Sequence, residues 1–221
     1  MSKYTQPPTL PLELLSGLID PNAGFLCLTM HWRPNPEDPD PDMPGEKLSM
    51  SSYISVSPEE DCLCGSGKPY RVCCRRRRAW RPICPNPGMQ GYSLLAPQSA
   101  TFSDVDGPAL RERLMADARL RCVDESPESS FWIFWGDPAV EDKYGIMCFG
   151  DLELKDYRTL IVTAMSDLRM RILLDLLQEI AGDVLGEPQM SRDPVPTITK
   201  PSRRSPTRRA KRKPRRKRRK R

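Results

Sequence analysis

The residues best suited to chemistry are four cysteines within thirteen positions: Cys62, Cys64, Cys73 and Cys74, in the stretch CLCGSGKPYRVCC. The spacing is C-x-C-x8-C-C. Structural zinc takes a closed tetrahedral shell in which thiolates are preferred ligands. Two close cysteine pairs joined by a turn can meet around one ion. Gly65 and Gly67 permit the tight reversal, because glycine enters the left-handed backbone region without steric penalty. The backbone N–H groups of Gly65, Ser66 and Gly67 are placed to donate to thiolate sulfurs and offset their charge. Tyr70 is the one bulky apolar group in the stretch that can cover the site. The alternatives are four buried free thiols or two disulfides. A bridge within the vicinal pair Cys73-Cys74, or between Cys62 and Cys64, would be strained.

This stretch resembles the SEC-C motif, the zinc-binding element at the C-terminal end of the SecA translocase ATPase and in many other bacterial proteins. Both cysteine pairs, the Gly-Ser-Gly-Lys turn and the aromatic at Tyr70 match. Leu63 stands where proline is usual, and Pro69 precedes the tyrosine; neither change removes a ligand. The resemblance implies that Cys62, Cys64, Cys73 and Cys74 bind Zn2+. It also implies a docking role toward protein partners, as in translocation and ribosome-associated factors. No G-x-x-x-x-G-K-[ST] pattern accompanies it, so no translocase motor is expected. Residues 144–186 are also similar to a strand–strand–helix unit found beside SEC-C motifs in other bacterial proteins.

The remaining candidates weaken on inspection. Cys84 follows Cys74 by ten residues and could exchange for a ligand. A small buried hydrophobe is the simpler reading for it, as for Cys27, Cys122 and Cys148. His31 is the single histidine and sits at the end of an apolar run, which favours packing over ligation. Neither a Cys/His pair at catalytic spacing nor an open zinc site is visible. Asp137, Glu141 and Asp142 read as a solvated charged stretch. We therefore expect no enzymatic activity and no small-molecule substrate.

Charge is divided along the chain. Residues 200–221 contain fifteen Lys or Arg and no acid, fourteen of them between Arg203 and Arg221. Residues 1–199 hold the other 20 bases (35 less 15) against 29 acids, a formal charge of −9. A basic run without apolar periodicity is disordered in isolation and attracts polyanions. Nucleic acid or the ribosome is one partner it fits; docking across the acidic body, or serving as an address signal, are the others. Arg71 and Arg75, Arg76, Arg77 and Arg78 flank the knuckle. They either contact phosphate or compensate a zinc–tetrathiolate centre of net charge −2. Trp80, Phe131, Trp132, Phe134 and Trp135 could stack on bases, but four of them form the run FWIFW, which reads as core.

The elements that must carry these residues follow from periodicity. Residues 10–20 predict a short helix and 24–32 an apolar strand. Residues 34–46 hold five prolines and five acids, a composition that predicts a flexible loop. A strand is expected over 48–56, turns over 85–93, and a helix over 106–120 with Leu110, Leu114, Met115 and Ala118 on one face. FWIFW, residues 131–135, predicts a buried strand. Residues 144–154 and 159–164 predict a hairpin turning at 155–158. The longest helix is expected over 167–185. Ser166 is its N-cap, Leu168, Ile172, Leu173, Leu176, Leu177 and Ile180 form its stripe, and Gly186 and Pro188 stop it.

The class is α+β: a small mixed domain of antiparallel hairpins and helices with an inserted zinc knuckle and a disordered basic C-terminal tail. The expected divisions are 1–57 for the N-terminal helix and strand region with its Pro-acidic loop, 58–82 for the knuckle, 83–188 for the α+β domain, and 189–221 for the tail. The first residues contain no apolar core of a signal peptide, and no apolar run reaches the roughly 18 residues of a membrane helix. Clustered cysteines then point to the cytoplasm, where they bind metal more often than they form disulfides. The expected function is a zinc-binding, non-catalytic adaptor with a protein partner. The alternative is a nucleic-acid- or ribosome-associated protein acting through residues 200–221.

Overall fold

The structure, a computed structural model, describes residues 24–33, 46–77, 79–134, 146–195 and 198–199. Within them lie two six-stranded sheets and two α-helices, an α+β fold. The expected helix at 10–20, nearly all of the Pro-acidic stretch, Arg78, Trp135, Asp137, Glu141, Asp142, Tyr144 and the basic run from Lys200 fall outside the described residues.

The first sheet is built on β1 (Phe25–Arg33), the apolar run expected at 24–32. It pairs antiparallel over its whole length with β2 (Glu46–Ile54). On its other side it runs parallel to β3 (Ala79–Pro85), with Cys27 opposite Ile83. β4 (Tyr92–Leu94) pairs with the end of β3.

The second sheet is antiparallel throughout. It contains β5 (Gln98–Phe102), β6 (Leu120–Glu125) and β7 (Ser129–Phe134). A further strand of the first sheet, β8 (Ile146–Cys148), pairs with β1. The second sheet continues with β9 (Gly150–Lys155), β10 (Thr159–Ala164) and β11 (Gln189–Arg192), in the order β11-β5-β10-β9-β7-β6. Finally β12 (Ile198–Thr199) pairs antiparallel with the start of β3. Residues 189–192 and 198–199, read from the sequence as tail, are therefore strands.

The main core follows from alternation. Ala100, Phe102, Trp132, Phe134, Leu152, Leu154, Leu160, Val162 and Ala164 point from the second sheet to one side. There they meet Leu110 and Leu114 of α1 (Gly107–Ala116) and Met170, Leu173, Leu176, Leu177 and Ala181 of α2 (Asp167–Ala181). Ser166 caps α2 by accepting the Arg169 N–H at 3.2 Å, as its position predicts. Trp32 of β1 stacks on Phe131 of β7, ring centroids 5.4 Å apart, and so joins the sheets.

Several boundaries differ from the sequence reading. Helix α1 stops at Ala116, because the Asp117 carboxylate accepts from the Arg119 N–H at 2.9 Å and holds the chain extended. Met115 is consequently 50% exposed and Ala118 also faces out, so neither shares the buried face of Leu110 and Leu114. Helix α2 ends at Ala181, not at 185. Gly182 is a poor helix former, and Asp183 turns aside to pair with Arg113 of α1. The strand expected over 144–154 is two, β8 and β9, interrupted at Phe149 as the chain crosses from one sheet to the other. Gly150 makes that crossing possible: a Cβ there would stand 2.3 Å from Leu173 Cδ1 and 2.9 Å from the Thr163 carbonyl oxygen. The strand expected over 48–56 lies instead at 46–54.

The same joint carries a buried cation that periodicity does not reveal. Arg169, 1% exposed, donates from Nε to the Pro85 carbonyl at 3.0 Å and from Nη1 to the Phe149 carbonyl at 3.3 Å. Its guanidinium also lies over the Phe149 ring, 4.8 Å from the centroid. The first turn of α2 thereby ties the end of β3 to the β8–β9 crossing.

Candidate metal centre

Between β2 and β3 the chain folds into a knuckle of two 3-10 turns, Tyr70–Val72 and Cys74–Arg76, preceded by a glycine reversal. Gly65 and Gly67 hold φ of +74° and +65°, the left-handed conformation that their residue type allows. The Cys62 N–H donates to the Lys68 carbonyl at 2.9 Å, the Gly65 N–H to the Cys62 carbonyl at 3.1 Å, and the Cys73 N–H to the Tyr70 carbonyl at 3.1 Å. These bonds fold the two cysteine pairs toward each other.

The ligand atoms of Cys62, Cys64, Cys73 and Cys74 all lie within 4.8 Å of one another. Cys64 Sγ is 3.5 Å from Cys73 Sγ, and Cys73 Sγ is 3.8 Å from Cys74 Sγ. Four sulfurs around zinc at roughly 2.3 Å stand about 3.8 Å apart along each tetrahedral edge, so the cluster has the dimensions of a tetrathiolate shell. All four cysteines are free, which removes the two-disulfide alternative. Cys62 and Cys74 are buried, and Cys64 and Cys73 half-buried.

The hydrogen bonding around the sulfurs departs in part from expectation. The Gly65 N–H is spent on a carbonyl. The Ser66 hydroxyl stands 3.3 Å from Cys73 Sγ, and the Ser66 N–H reaches Cys64. The Cys64 and Cys74 N–H groups serve Cys62, a contribution the sequence reading missed. Burial opposes ionisation of Cys64, but hydrogen bonds from Ser66, Cys62 and Cys73 outweigh it and bring its thiol down to about 6. Burial pushes the Cys62 thiol up despite its two N–H donors. It pushes Cys74 up further, reinforced by the Cys62 and Cys64 sulfurs. Crowded thiols of this kind ionise together only when a cation shares their charge.

Tyr70 covers the cluster as its sequence position implies. It is 2% exposed and packs with Phe25, Cys27, Cys62, Cys74 and Ile83 in a second core. The knuckle thus rests on β1 and β3. Lys68, Arg71, Arg75, Arg76 and Arg77 ring it on the solvent side. Arg71 pairs with Glu59 at 3.0 Å; none of Arg75, Arg76 and Arg77 pairs with a described carboxylate.

The other candidates lie elsewhere. Cys84 is fully buried with its thiol toward the Met165 carbonyl, and Cys27 and Cys148 are buried in strands of the first sheet. Cys122 is half-buried on β6. His31 is 3% exposed on β1, opposite Leu48 and Met147. Trp80 and Trp132 are both buried, Trp80 against Tyr53 with ring centroids 4.9 Å apart. A shallow hollow of about 290 Å³ is lined by Pro87, Gly88, Arg119, Phe134 and Ile172, its one cation held by Asp117 and Glu179. Among the described residues no helix is long and apolar enough to cross a membrane. No protein-family model, curated protein or solved structure matches this chain.

Proposed function

We propose that this chain is a zinc-binding, non-catalytic binding module of the cytoplasm, in which Cys62, Cys64, Cys73 and Cys74 hold one Zn2+ and the closed knuckle docks on a protein partner. The observation that carries the reading is the sulfur cluster itself, four thiols within 4.8 Å. Four protein ligands fill a tetrahedral zinc shell, and a filled shell leaves no position for a substrate or a reactive water. The likeness of the stretch to the SEC-C motif supports the same metal and a docking role. The zinc would fix the reversal at 62–74 and hold Tyr70 against β1.

X-ray absorption on the purified protein tests it. We expect one zinc per chain with four sulfur neighbours at about 2.3 Å. Absence of bound metal, or a nitrogen or oxygen ligand in the shell, would contradict the assignment.

One observation favours a second reading, binding to nucleic acid. Arg75, Arg76 and Arg77 are exposed beside the knuckle without a described acidic partner, and residues 200–221 add fifteen bases.

A further inference from the structure

The four sulfurs of the knuckle are not equivalent. Cys62 and Cys74 are 3% and 1% exposed and pack with Tyr70 in the second core. Cys64 and Cys73 are half-buried, so solvent reaches them. Their sulfurs lie 3.5 Å apart, closer than Cys73 and its chain neighbour Cys74 at 3.8 Å. The accessible pair is therefore also a close pair, brought together across nine positions of sequence by the reversal.

A thiol that ligates a metal is deprotonated, and the thiolate is the form that oxidants attack, the exposed one first. Other pairings meet obstacles. A bridge between Cys73 and Cys74, or between Cys62 and Cys64, is strained. Cys62 and Cys74 are held in the core under Tyr70. Joining Cys64 to Cys73 moves only the two half-buried sulfurs, from 3.5 Å to the roughly 2.05 Å of a disulfide.

We propose that the knuckle is also a site of reversible oxidation, at which a peroxide converts Cys64 and Cys73 to a disulfide and Zn2+ is given up. This rests on the zinc reading above and adds its regulation. One thiolate of the pair attacks the peroxide, breaks the O–O bond and becomes a sulfenic acid as hydroxide leaves. The other attacks that sulfur, forms the S–S bond and expels a second hydroxide. The two sulfurs lose two electrons and the peroxide gains them. Cys62 and Cys74 take up one proton each, and two more protons convert the hydroxides to water. Two remaining ligands do not close a shell of four. The bonds from the Cys62 N–H to the Lys68 carbonyl and from the Cys73 N–H to the Tyr70 carbonyl involve no sulfur. The disulfide thus takes over as the cross-link of the same reversal. What changes is charge: the −2 of a tetrathiolate centre is lost, and Lys68, Arg71, Arg75, Arg76 and Arg77 on the solvent side are left less compensated.

Hydrogen peroxide added to the full, zinc-loaded chain tests the proposal. One zinc should pass to a chromogenic indicator for each bridge formed, and peptides mapped without reduction should join Cys64 to Cys73. A dithiol reductant should restore both thiols and zinc uptake. Amides of 62–74 should exchange about tenfold more slowly in the oxidised chain than in the reduced chain stripped by a chelator, because the bridge keeps the loop closed. Cys62→Ser with Cys74→Ser leaves the accessible pair and should still form the bridge under peroxide. Cys64→Ser should form none within the knuckle. A dominant bridge through Cys62 or Cys74, zinc lost without a bridge, zinc retained in excess peroxide, or exchange no slower than in the stripped chain overturns the oxidation site and leaves the zinc reading standing. A chain that holds no zinc before peroxide is added overturns the zinc reading, and the oxidation site with it.

Discussion

The Tyr70 ring occupies the space that a side chain on Gly24 would need: a Cβ at that position would stand 2.6 Å from both Cζ and Oη of the tyrosine. The ring also meets Phe25, centroids 5.9 Å apart at 44°. The knuckle is thus seated on the first residues of β1 by one aromatic in a gap that only glycine leaves open.

Gly24→Ala should destabilise the fold by about 1–3 kcal/mol, the usual cost of overpacking a filled site, and weaken zinc retention against a competing chelator. Since the clash involves the phenol oxygen, Tyr70→Phe should restore part of the loss. A thermodynamic cycle on the two substitutions measures this. Simple additivity of their effects would show that the contact does not couple the knuckle to β1.

Removing the metal should loosen the knuckle and the part of the first sheet that it touches. Cys73→Ser, or chelation, frees the reversal at 62–74 and unseats Tyr70 from Phe25, Cys27 and Ile83. Helix α2 packs in the separate core of the second sheet and should keep its structure. Hydrogen exchange by segment reads the difference: amides of 60–77 and of β1 and β3 should lose protection, whereas those of α2 should not. Equal loss in α2 would mean that metal and global fold are one cooperative unit.

Zinc uptake should release protons. At pH 7 the Cys64 thiol, brought to about 6, is already largely ionised. Cys62 and Cys74, held above their ordinary value by burial, still carry protons that a metal must displace. Zinc affinity should therefore fall as pH falls. Calorimetry in buffers of different ionisation enthalpy should count at least two protons per zinc at pH 7; a count of one or fewer would contradict this pattern.

Cys27 gives the fold an alkaline limit. Burial, aided by the neighbouring Cys84, pushes its thiol up to about 11, against a lowering influence from Arg169. An acid whose folded pKa is raised contributes stability in full below its unfolded pKa and loses it as pH rises through the folded one. Stability should decline between about pH 9 and about pH 11, as the unfolded chain ionises and the folded chain does not. Cys27→Ala should be less stable at neutral pH but flatter across that window. Parallel pH profiles of melting temperature for the two proteins would rule the thiol out.

Local chemistry was legible in the sequence, and long-range pairing was not. The positive φ at Gly65 and Gly67, the covering role of Tyr70, the Ser166 cap and the hairpin of β9 and β10 follow from residue type and short spacing. Arg169 lies in the first turn of the apolar helix, and periodicity does not mark it as buried. Only the third dimension brings the Pro85 and Phe149 carbonyls to it. The split between β8 and β9 hides in the short stretch 146–150, IMCFG, where only Gly150 marks the change of sheet. β12 is two residues long in a segment of turn-forming composition, and its partner lies more than a hundred residues away.

That last pairing also sets an order of assembly. Closure of the knuckle spans thirteen residues, a contact that a nascent chain can make as soon as Cys74 has emerged. The first sheet needs β8 from 146–148 and β12 from 198–199, contacts of large sequence separation whose loops must close first. During synthesis the free edge of β3 therefore waits, unpaired at Ala79 and Trp80, until the last of the strands arrives. An exposed strand edge is a template for mispairing, and the arginines just upstream are the kind of charge that keeps neighbouring chains from adding to it.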